Sequence, residues 1–182
     1  MPKRTMDEVL DSFGDLLDQL DRITRAGHSR YRAYDPKDLI ELDSRAQASC
    51  TYAHMVAEAD RQFLANNNVE VREIRGLKVW LFKKQNAVVR LKKMDEDGKS
   101  RNYPTKQAKK YDLGAELPGL PMPPIRLTAG YLLDKTGLIF ERSQIAKPSG
   151  RSVTWCAAIV PTEERKGGEK AWVDVTREKA ML

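Results

Sequence analysis

The chain reads as an α+β protein: an N-terminal antiparallel helix pair followed by an antiparallel sheet of about six strands. Three observations carry that reading. Apolar residues recur at steps of three and four up to residue 65, the period shortens to two from Val69 onward, and turn residues punctuate the second half at short intervals.

Thr5 followed by Glu8 is a capping box and opens the first helix. Met6, Val9, Leu10, Phe13, Leu16, Leu17, Leu20 and Ile23 form one apolar stripe, with acidic residues on the remaining surface and Gly27 as the expected end. Asp35 and Pro36 suit an N-cap and the first helical position of a second helix running to about Ala65. Small side chains fill its middle, so a seam of Leu39, Leu42, Ala46, Cys50, Ala53, Ala57 and Leu64 is expected against the first helix. Three asparagines from Asn66 close it.

Strands are predicted at Val69–Arg72, Leu77–Phe82 and Ala87–Leu91, joined as hairpins through Arg75-Gly76 and residues 83–86. Thr105 caps a short basic helix ending near Tyr111, and Leu117–Pro124 is too rich in proline for regular structure. Strands at Ile125–Leu133, Leu138–Ala146 and Ser152–Val160 follow, and then a charged tail in which Trp172 and Val173 are suited to dock. The expected organisation is one folded unit: a helical hairpin over 1–68, an antiparallel β region over 69–160 with its proline-rich connection at 117–124, and a tail over 161–182.

Charge is segregated. Residues 69–110 hold thirteen Lys and Arg against five Asp and Glu, whereas the 68 residues before them hold nine against twelve. A basic strand segment of this kind implies an anionic partner, DNA or RNA first and an acidic protein next. Lys78, Arg90 and Lys92 alternate with apolar residues, which predicts that they share the solvent face of a half-buried sheet. Lys83, Lys84, Lys99, Arg101, Lys106, Lys109 and Lys110 complete the candidate nucleic-acid-binding set, with aromatic residues interleaved. Solvation alone would also place charge on such a face.

A protein partner is the second expectation. The stripe through Phe13, Leu17 and Leu20 offers an interface to a second copy or to another protein. The inter-helix linker adds Arg30, Tyr31, Arg32 and Tyr34, unless its tyrosines simply staple it to the helices.

Several classes are disfavoured. No apolar run approaches the roughly 18 residues of a membrane span, and the N-terminus lacks the apolar core of a secretory signal. Cys50 and Cys156 read as two unpaired thiols suited to a reducing cytoplasm. Cys50 and His54 lie one helical turn apart, but two Cys and two His are few for a metal site, and no cofactor motif is present. An enzymatic alternative is a metal-dependent nuclease with Glu70, Glu73 or Asp95 as ligands, although their spacing matches no metal-binding pattern. Another is a purely protein-binding inhibitor.

The stretches Arg45–Ala53, Asn102–Leu113 and Leu117–Pro121 resemble bacterial and phage proteins of similar length encoded beside metallopeptidases of the ImmA/IrrE type, which accompany repressors and toxin–antitoxin defence. The resemblance implies a partner protein, the antitoxin or regulator of a two-gene module. The absence of His-Glu-x-x-His separates this chain from the peptidase. Together these readings predict a non-enzymatic cytoplasmic binding protein of a defence module.

Overall fold

Each helix begins where a side chain can satisfy its free backbone amides. In the computed structural model, which describes residues 4–100, 105–120 and 124–177, the Thr5–Glu8 capping box is formed and opens α1 (Met6–Phe13). Gly14 then takes φ +51°, and the chain restarts as α2 (Leu16–Arg32). Asp35 caps the short α3 (Pro36–Glu41), and Asp43 accepts the amide of Ala46 to open α4 (Ser44–Phe63). The two long helices expected from periodicity are therefore four segments.

Gly27 lies inside α2 and does not end it. A Cβ there would fall 2.3 Å from Met55 Cγ on α4, so the missing side chain lets the two helices approach. The packed seam of α4 is Thr51, Met55, Ala59 and Phe63, which corrects the set expected from small residues; Leu64 is 88 % exposed. Its middle is small-sided without being the contact face.

The strands are β1 (Val69–Ile74), β2 (Leu77–Phe82), β3 (Ala87–Lys93), β4 (Ile125–Leu133), β5 (Phe140–Ser149), β6 (Ser152–Ile159) and β7 (Trp172–Asp174), and α5 (Lys106–Asp112) precedes β4. They form one sheet of seven strands in chain order, one more than expected, because Trp172 brings the tail in beside Ile159. Its indole nitrogen donates to Asp11 on α1 at 3.0 Å.

All neighbours are antiparallel except β3 and β4, which run parallel from Ala87↔Ile125 to Lys93↔Tyr131. A parallel pair needs a crossover, and residues 94–124, with α5 inside them, supply it. Read as a linker, that segment hides the reversal. Gly130 faces Lys92 across this junction, where a Cβ would sit 1.6 Å from the Lys92 carbonyl oxygen.

The main core lies between the helices and one face of the sheet. Phe13, Leu17, Leu20, Ile23, Met55 and Phe63 meet Trp80, Phe82, Val89, Leu91, Tyr131 and Ile145. Phe82 packs against Phe13 and Phe63 with ring centroids 5.3 and 5.4 Å apart. Phe13, Leu17 and Leu20 are thus spent internally and do not face a partner. Uncovering each would forfeit on the order of 2 kcal/mol of apolar burial.

The opposite face is covered too. Tyr111 of α5, with Leu117 and Leu120, packs on Val79, Leu81 and Val88, while the turn at Asp95–Gly98 lies over Ala146 and Cys156. Both alternating sets of β2 are therefore core, one on each face. The sheet has no bare solvent face of the kind expected.

Candidate nucleic-acid interface

Beside the end of β3, where α4 from the first face and α5 from the second both border the sheet, lies a groove of about 1940 Å³. Its floor comes from the end of β3, one wall from α5 and another from the first half of α4. Ten Lys and Arg line it against five Asp and Glu.

Those five carboxylates are already engaged. Asp112 binds Arg90, Asp97 binds Lys99 and Arg177, and Glu96 binds Arg177. Asp95 accepts the amides of Asp97 and Lys99, and Asp134 those of Leu138 and Ile139 with the Thr136 hydroxyl. Among the described residues Arg45, Arg75, Lys92, Lys109, Lys135 and Arg151 make no ion pair. The groove therefore carries six cations without an ion-pair partner among the described residues.

Two of its residues define the floor. Arg90 is 2 % exposed and donates to Thr128 Oγ1 at 3.0 Å, Ser100 Oγ at 3.2 Å and Asp112 Oδ1 at 2.5 Å. Lys92 is half-buried, with its ammonium 5.3 Å from the ring centroid of Tyr52 on α4. Burial pulls the Lys92 pKa down from the usual lysine range, Arg90 adds to this, and Asp112 opposes it. Burial likewise lifts the Asp112 carboxyl above the usual carboxylate range, against the pull of Arg90.

The wall is held rigidly. Tyr111 is fully buried, and its hydroxyl lies 2.7 Å from the carbonyl oxygens of both Val88 and Leu127, bridging the parallel strands. Arg126 donates to the carbonyls of Lys110 and Ala115, clasping the chain where α5 ends. With its inner side fixed, α5 presents Lys106, Lys109 and Lys110 to solvent. Lys106 and Lys110 border a second depression of about 250 Å³ beside Arg75.

The structure thus divides the sequence-predicted cations. Arg90, Lys92, Lys99 and Lys109 line the groove, with Lys106 and Lys110 on the outside of its wall. Lys78 does not share a face with Arg90: it points to the helices and binds Asp60 at 2.7 Å. Arg90 itself is locked inside by Asp112. Both corrections follow from the coverage of both sheet faces. Lys83 and Lys84 are exposed in the β2–β3 turn, away from the groove, and Arg101 lies outside the described residues.

Arg45, Arg75, Lys135 and Arg151 were missed. They come from a helix and three separate turns, and no local pattern links them.

Of the linker residues, Tyr31 is buried and Tyr34 binds His54 Nε2 at 2.8 Å, so both staple α2 to α4. They stand on and just after α2 rather than in a free loop; Arg30 and Arg32 remain exposed. Cys50 and Cys156 are free thiols, the latter pushed up to about 12 by burial. Among the described residues no group of three His, Cys, Asp or Glu is arranged to hold a metal ion, and Glu70 is paired with Arg72. None of the described helices is long and apolar enough to cross a membrane.

No protein-family model, curated protein or solved structure matches the chain. Fold and site together define a class: an α+β protein whose seven-stranded sheet carries a basic groove beside the end of β3.

Proposed function

We propose that this is a non-enzymatic binding protein, the regulator or antitoxin-type member of a bacterial or phage two-gene module, and that the groove engages nucleic acid. One observation carries the reading: among the described residues, six cations around a single groove make no ion pair. Phosphates arriving at such a surface displace condensed counterions, which drives binding and makes it sensitive to salt. A protein partner is the other half of this proposal. With the apolar stripe buried, its contact falls to exposed surface such as Arg30 and Arg32.

The test is fluorescence anisotropy with labelled DNA and RNA across a salt series starting at about 50 mM. Affinity should fall linearly on logarithmic axes as salt rises. Arg45→Glu combined with Lys109→Glu should abolish retention with an unchanged melting temperature. Absence of binding at low salt, or binding indifferent to both substitutions, rejects the reading.

A further inference from the structure

Resting on the reading of the groove as a nucleic-acid interface, we propose that it is shaped for a single strand, with one backbone phosphate reaching Lys92 on the floor. The decisive feature is depth. Lys92 is half-buried beside Tyr52 whereas Arg45 and Lys109 are exposed, and Asp112, the carboxylate that acts on it, is held by Arg90 at 2.5 Å. A duplex is a stiff rod with phosphates on a convex surface, so it meets the walls of a groove and not its floor. An unpaired strand bends and can lower a phosphate between them.

The surroundings fit the same ligand. Arg45 and Lys109, on opposite walls, are exposed and unpaired, so they can follow a backbone on either side of the floor. Tyr52 on one wall and Leu113, 70 % exposed at the end of α5, give bases apolar surface to rest on. A positive track interleaved with aromatic and apolar platforms binds single strands with little sequence preference. Burial of an unpaired ammonium also favours an incoming anion, since the charge gains a partner it lacks in the free protein.

The experiment compares an unstructured single strand of about 20 nucleotides with a blunt duplex of the same sequence, for both DNA and RNA. The single strand should bind at least about tenfold more tightly. Lys92→Gln should remove most of that advantage by weakening single-strand binding more than duplex binding, while Lys92→Arg should restore it. Equal affinity for both forms, or a single-strand advantage that survives Lys92→Gln in a folded variant, overturns this inference and leaves the nucleic-acid reading standing. Failure of both forms to bind removes the reading and the inference together. The wild-type ratio decides the matter even if the glutamine variant does not fold.

Discussion

Arg90 on β3 and Asp112 on α5 meet at 2.5 Å, with side chains 2 % and 19 % exposed, and this contact locks the crossover helix onto the sheet. Its partners Thr128 and Ser100 complete the guanidinium's hydrogen bonds, so the charge is buried but satisfied. Removing one member leaves the other stranded. Asp112→Ala should therefore cost about 3–5 kcal/mol in urea denaturation. The double variant Arg90→Leu/Asp112→Ala should lose much less than the sum of the single losses. Additive losses would show that the two side chains act independently.

What the sequence disclosed and concealed divides along physical lines. Local signals were legible: the Thr5–Glu8 capping box, the Asp35 cap and six strand positions all depend on residues within a few places of one another. The parallel β3–β4 pair was not, because strand direction depends on where a 31-residue connection leads, and no short window holds that. The groove was half legible. Clustered lysines announced a basic surface, but alternation cannot say whether a strand's polar side meets water or, as at Arg90, a buried carboxylate. Arg45, Arg75, Lys135 and Arg151 join it only through the tertiary fold.

Gly27 offers a test in which local and tertiary preferences oppose each other. Alanine favours a helix interior by about 1 kcal/mol over glycine. Here its Cβ would lie 2.3 Å from Met55 Cγ and 3.0 Å from the Met55 backbone nitrogen, so α2 and α4 must separate. Gly27→Ala should destabilise the protein by about 1–3 kcal/mol, the usual cost of overpacking. A gain in melting temperature would show that the two helices do not press together at this point.

The histidines predict a pH dependence whose sign can be worked out. Burial is the largest cause lowering both His28 and His54 below the ordinary 6.5. His28 lies against the rings of Tyr31, Tyr131 and Phe140, donates to the Leu138 carbonyl, which opposes the shift, and is faced by Arg32 and Lys93, which reinforce it. The unfolded chain thus binds more protons than the folded one below 6.5, and stability should fall as pH drops through that value. Thermal melts between pH 7 and about 5.5 read this slope, to which the raised Asp112 carboxyl contributes with opposite sign. His28→Gln should flatten the slope; an unchanged slope would assign it to other groups.

Tyr111 links stability to binding. Its hydroxyl bridges the Val88 and Leu127 carbonyls while the Arg90 and Arg126 guanidinium carbons lie 4.7 and 5.6 Å from its ring centroid, so it anchors α5 from within. Tyr111→Phe keeps the ring and removes the buried hydroxyl that donates to these carbonyls, a loss of about 1–3 kcal/mol. Arg90 and Arg126 still tether the helix, so the chain should stay folded while the α5 amides exchange with solvent faster. Every cation of the groove survives this substitution. Nucleic-acid affinity should therefore fall through lost preorganisation of the wall, with the slope of log affinity against log salt unchanged. A changed slope would mean that phosphate contacts depend on the Tyr111 hydroxyl itself, and unchanged exchange would mean that it does not anchor the helix.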